Sequence, residues 1–239
     1  MKRYAFTLAE VLITLGIIGV VAALTIPTLM QKTDERETVA KVKKNVKIFS
    51  DAAEMAVLEH GNIDKWELVY DEEESIARVA EYLKPHLKIQ KDCGQNICDE
   101  YSVEAFYTLK GNLYSASSLP YTKLQRLILA DGSVALIRAG AADFSVFIDT
   151  NGNNGPNTLG RDIFRFIYNK NGKIFFNNYG LSPAYSQEEG EDPNPEKWRF
   201  CNPQYGEGWA CLEWVYFKEN MDYLHCADEL YWDGPTRCS

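Results

Sequence analysis

Three features of the sequence predict an α+β chain. They are a charge-free apolar run at residues 11–30, a helical apolar stripe that continues to Ala56, and short apolar runs beyond residue 124 punctuated by Asp-Gly and Asn-Gly turns. Together they place one long N-terminal helix ahead of an antiparallel sheet, with a cysteine- and tryptophan-rich region at the C-terminus. The composition agrees: 239 residues, 46% hydrophobic and 25% charged, is the make-up of a globular chain and excludes disordered, collagen-like and multispan membrane architectures. A formal net charge of −9 argues against direct contact with nucleic acid, which needs basic surface to displace phosphate counterions.

The run Val11–Met30 spans about 30 Å as a helix, the thickness of a bilayer's hydrocarbon core. Lys2 and Arg3 precede it and keep the N-terminus cytoplasmic, so everything beyond about residue 31 faces outward. A cleaved secretory signal is one reading, with small residues at Val21-Ala22-Ala23, although the run exceeds the roughly 7–15 residues of a signal core. A permanent anchor is another. Neither accounts for Glu10, a carboxylate at the mouth of an apolar stretch that costs a few kcal/mol unless it snorkels to the interface or finds a partner.

Met1-Lys2-Arg3-Tyr4-Ala5, followed by Phe6-Thr7-Leu8-Ala9-Glu10 and the apolar run, resembles the N-terminus of type IV pilins and type II secretion pseudopilins. The resemblance implies a leader at residues 1–5, cut by a prepilin peptidase between Ala5 and Phe6, with Phe6 then N-methylated. Ala5 stands where the family usually has glycine. Pro27 falls where many pilins carry a helix-bending proline. The implied partners are other pilins in a helical filament, the peptidase, an inner-membrane assembly platform and membrane lipid. The implied location is a single inner-membrane pass with a periplasmic or extracellular head. Physics gives Glu10 and Pro27 roles in assembly. Cleavage creates an amine one turn before Glu10, and in a stack of such helices that amine neutralises a neighbour's carboxylate away from water. Pro27, with Gly16 and Gly19, lets the helix bend or melt locally, or permits close packing in lipid.

Beyond the membrane segment (6–30), Val39, Val42, Val46, Phe49, Ala53 and Ala56 recur every three or four residues, with lysines and acids off the stripe. Residues 31–60 therefore continue the helix, and Gly61-Asn62 ends it. From Phe6 to His60 such a spine is roughly 80 Å long and resembles the pilin architecture, a helical spine packed on an antiparallel sheet. The head, 61–239, opens on a connecting region with a helix predicted over Glu72–Leu87, Pro85 standing near its end. Four or five strands follow at 124–129, 134–137, 144–148, 163–168 and 173–176, joined by Asp131-Gly132 and Asn171-Gly172 turns.

The loop from Asp149 to Asp162 is the best local site. Asp149, Asn151 and Asn153 alternate as in a calcium loop, where short oxygen side chains meet around a hard cation, and Asp162 adds a second carboxylate. Asn154 replaces the expected glycine, no glutamate closes the loop, and Arg161 opposes a cation. The alternative is a rigid turn held by Asn and Asp side chains bonded to backbone. Pseudopilins sometimes carry a calcium loop.

An acidic, proline-bearing segment at 187–196 precedes the C-terminal region, where Trp198, Trp209, Trp214 and Trp232 cluster with four cysteines. An extracytoplasmic position favours disulfides. Of fifteen pairings for six cysteines, nearest neighbours give Cys93–Cys98, Cys201–Cys211 and Cys226–Cys238. The spacings fit no common zinc site. The tryptophans fill a small core or stack on glycan, core being the favoured reading. The three histidines, His60, His86 and His225, sit in no nucleophile, zinc or phosphate-loop motif, so no enzyme is expected. The reading that follows is a filament subunit. The alternatives are a single-span surface protein with a calcium- or glycan-binding head, and a secreted enzyme.

Overall fold

The computed structural model describes residues 7–103, 105–114, 124–175 and 201–239. The chain forms two units, Met1–Glu37 and Thr38–Ser239, and helix α1 (Leu8–His60) contributes to both.

In the first unit α1 is apolar and uncovered. Leu12, Ile13, Leu15, Ile17, Ile18, Val20, Leu24 and Leu29 are all well exposed. Its few polar side chains are satisfied locally: the hydroxyls of Thr14, Thr25 and Thr33 donate to the carbonyls of Val11, Val21 and Leu29, each at 2.9 Å. Such back-bonding is how a hydroxyl is tolerated without water. Pro27 lies inside the helix, which runs on without interruption, so the local melting weighed for residues 16–27 is not observed.

In the second unit the rest of α1 buries Val39, Val42, Val46, Phe49, Ala53 and Ala56, the stripe predicted by the 3.6-residue period, together with Asn45 and Ala52. Gly61 follows with φ +78°, the left-handed conformation that ends helices at glycine. Helix α2 (Glu73–Leu83) stops four residues short of the predicted Leu87. Pro85 has no N–H to donate to the carbonyl one turn back, and the chain tightens into a 3₁₀ turn, Lys84–His86.

The main sheet has five antiparallel strands in the order β1 (Ile89–Gly94), β4 (Gln125–Leu129), β5 (Val134–Ala139), β6 (Phe144–Asp149) and β7 (Ile163–Tyr168). A second, two-stranded sheet pairs β2 (Phe106–Tyr107) with β3 (Leu113–Tyr114). The fifth strand is therefore β1, and not residues 173–176. Ile174 makes only an isolated bridge to Tyr168, and Phe176 lies outside the described residues. β1 carries no apolar alternation and has two register shifts against β4, the marks of an exposed edge.

Both faces of the sheet are covered. Leu127, Ile137, Val146, Ile148, Phe164 and Phe166 belong to the core that includes the α1 stripe and α2. On the opposite face Ile128, Val134, Leu136, Phe147 and Ile163 pack with Tyr101, Val103, Phe106 and Leu159. Arg138 lies on this second side of β5 and is paired with Asp71 through two bonds of 2.5 and 2.6 Å. The turn after β7 abuts α1 so closely that a Cβ on Gly172 (φ +71°) would lie 2.8 Å from the Ala53 carbonyl oxygen. Only glycine fits there.

The C-terminal region forms α3 (Cys211–Lys218) and α4 (Tyr223–Cys226). Disulfides join Cys93 to Cys98, Cys201 to Cys211 and Cys226 to Cys238, all neighbours in sequence. Trp214 is fully buried and donates its indole N–H to Asn220 Oδ1 at 3.0 Å. Trp209 and Trp232 are half-buried. The acidic segment 187–196 and Trp198 lie outside the described residues.

Candidate functional site

Two places carry chemistry, the start of α1 and the loop between β6 and β7. At the first, the Thr7 backbone N–H and hydroxyl both donate to Glu10 Oε2 at 2.8 Å, and the Glu10 N–H donates back to the Thr7 hydroxyl at 3.3 Å. This is a reciprocal capping box, Thr-x-x-Glu, which satisfies two of the orphan donors at a helix start. Glu10 therefore carries partners of its own chain at the edge of the apolar segment. The most apolar stretch of α1 has a mean hydropathy of 2.3 with none of it buried in protein, long and apolar enough to cross a membrane. Pro27 lies within α1 and offers no donor to the carbonyl one turn back. Ala5 and Phe6, the processing residues, lie outside the described residues.

At the second place Asp149 ends β6, fully buried. Its Oδ1 accepts from the N–H groups of Asn151 (3.1 Å) and Gly152 (2.8 Å), and its Oδ2 from the Tyr101 hydroxyl (3.0 Å). Asp162, also buried, accepts from the N–H groups of Asn157 (2.7 Å) and Thr158 (2.6 Å). These are the side-chain staples of a rigid turn. Asn153 is committed elsewhere: its oxygen accepts from Ser102 N–H at 2.8 Å and its amide donates to the Glu100 carbonyl at 3.0 Å. It ties the loop to the 100–102 segment.

The charge state of the loop is unusual. Burial pushes the Asp149 carboxyl up to about 7 against the opposing hydrogen bonds, and the neighbouring Asp162 charge adds to the rise. Burial likewise raises Asp162, opposed by the N–H groups of Thr158 and Asn157. Two acids desolvated within reach of each other disfavour double ionisation. Beside them, the side-chain oxygens of Asn151 and Asn157 are buried without a hydrogen-bond partner. Asp149, Asp162 and Asn151 thus offer oxygen donors suited to a hard cation, while Asn153 serves as a strut. Asn157 was not singled out in the sequence, since it lies outside the alternating Asp-x-Asn-x-Asn pattern. Arg161 points to solvent.

The loop is also locked to the C-terminal region. A Cβ on Gly160 (φ +75°) would lie 2.5 Å from Cys211 Sγ, and the Tyr223 hydroxyl donates to the Gly160 carbonyl at 2.6 Å. A further grouping of Cys93, Cys98 and Glu100 offers no thiolate ligands, because the two cysteines are bonded to each other. Comparison with models of protein families, with curated proteins and with solved structures finds no match for the chain.

Proposed function

We propose that the chain is a structural subunit of a membrane-rooted helical filament, of the type IV pilus or type II secretion kind, cut between Ala5 and Phe6 and assembled through α1. One observation carries the reading: a helix whose apolar first part is uncovered and whose continuation forms the core of an α+β, disulfide-stapled unit. Lipid covers the apolar part before assembly, and neighbouring helices cover it afterwards. Thr7 holds the Glu10 carboxylate until the freed amine of an adjacent subunit replaces it, a charge pair that strengthens as water is excluded.

Mass spectrometry of the native N-terminus tests this. N-methyl-Phe6 is the expected start, and retention of Met1 overturns the reading in favour of a single-span anchored surface protein. Glu10→Ala is expected to leave folding and processing intact while lowering recovery in sheared fibres at least tenfold.

A calcium role for the Asp149–Asp162 loop is a second, compatible reading, supported by the two buried acids beside the unpartnered Asn151 oxygen. Calorimetric titration of the full chain in detergent with calcium is expected to give binding heat that Asp149→Ala abolishes. Absence of heat in the parent chain leaves the loop as a purely structural turn.

A further inference from the structure

The C-terminal end of α1 brings together three groups that the filament reading does not use. Glu59 and His60 end the helix, and His86 meets them from the 3₁₀ turn Lys84–His86. Glu59 Oε2 lies 3.4 Å from His86 Nε2 and 3.9 Å from His60 Nε2. The His86 contact is not a hydrogen bond, and its Nε2 is buried without a partner. The His60 ring is held on Tyr82, with centroids 3.7 Å apart and planes within 6°. His86 also borders a cavity of about 370 Å³ between Ile48 of α1 and Leu129 and Ala130 of the β4–β5 hairpin. Its ring therefore has room to shift without displacing packed atoms.

We propose that Glu59, His60 and His86 bind a zinc ion, which ties the end of α1 to the segment that leads into β1. The inference stands apart from the filament reading and from the β6–β7 loop. Two imidazole nitrogens and one carboxylate are a donor set for zinc, whereas calcium and magnesium take oxygens alone. Donors held at 2.0–2.1 Å around a tetrahedral ion lie roughly 3.3–3.4 Å from one another. Glu59 and His86 already stand at that separation.

His60 stands 0.5 Å farther from the carboxylate than His86, since 3.9 − 3.4 = 0.5. Among the described residues only Cys93, Cys98 and Glu100 have ligand atoms all within 4.8 Å of one another, so the trio is open and closes on the ion. The His60 side chain is 35% exposed and the Glu59 side chain 47%, so both can move at the expense of the Tyr82 stack. The setting favours a cation. A helix C-terminus carries partial negative charge on its last carbonyls. Lys84, on the same 3₁₀ turn as His86, is bridged to Asp92.

Calorimetric titration of the untagged full chain in detergent, freed of metal by a chelator, tests the site with zinc chloride. One zinc per chain is expected. His86→Gln, His60→Gln and Glu59→Gln are each expected to weaken binding by at least about tenfold, since even outer partners of a metal site carry that much. His225→Gln, a change at an exposed histidine outside the trio, is expected to leave it unchanged. Glu59→Gln alters an exposed side chain, so it keeps the test valid if His86→Gln misfolds. Cobalt in place of zinc is expected to give the visible absorption of a tetrahedral site, lost in His86→Gln. Excess calcium and Asp149→Ala are both expected to leave zinc binding intact. A parent chain that takes up no zinc overturns the proposal and leaves His86 as an ion-pair partner of Glu59. Uptake that survives all three substitutions, or that calcium displaces, overturns it equally, because the ion then sits elsewhere.

Discussion

Asp149 and Asp162 illustrate how burial alone changes what a residue does. Both spend their oxygens on hydrogen bonds within the protein, to backbone N–H groups and, for Asp149, also to the Tyr101 hydroxyl, yet both are raised because the desolvation of two neighbouring carboxylates outweighs those bonds. A group whose folded value exceeds its unfolded one binds protons preferentially in the folded state. Its contribution to stability is complete below the ordinary carboxylate range near 4 and is lost as pH rises through about 7. Thermal melts of the full chain are therefore expected to fall between pH 5 and pH 8. Asp149→Asn is expected to flatten that fall, and calcium to offset it at the alkaline end. A melt that rises over this range contradicts the assignment. Arg138 is the converse case, a buried cation held by a bidentate carboxylate. Asp71→Asn keeps a residue that tolerates the φ of +55° and removes the charge, at an expected cost of about 3 kcal/mol by chemical denaturation.

At the scale of the element, α1 was readable because its period is. Apolar residues every three or four positions admit one buried face, and the structure buries that face. Phe49→Ala, fully inside, is expected to cost about 3–4 kcal/mol in equilibrium unfolding, whereas Leu58→Lys, outside, is expected to leave the monomer within about 0.5 kcal/mol. The central strands were legible from their apolar runs and glycine turns. β1 was not, because Ile89-Gln90-Lys91-Asp92-Cys93-Gly94 pairs by backbone alone at an edge and has no apolar face for a pattern to record. Helix α2 was placed but overrun by four residues at its end, because Pro85 brings no N–H to continue the helix and Leu83 is its last residue.

For the whole molecule, one stretch of the chain is long and apolar enough to cross a membrane, and the three disulfides suggest an extracytoplasmic position for the head. Sequence alone determined the long apolar segment, the amphipathic continuation, the hairpins and the two acids of the loop, because each is written in neighbouring residues through periodicity, length or turn chemistry. Only tertiary structure decided which oxygens of that loop are free, that Asn153 is a strut and Asn157 a candidate donor, that the sheet is covered on both faces, and that Ile48 opens onto a cavity. Those facts depend on groups far apart in the chain, Tyr101 with Asp149, Ser102 with Asn153, Leu129 with Ile48. Burial and hydrogen-bond satisfaction are properties of what surrounds a residue, and local sequence does not encode its surroundings.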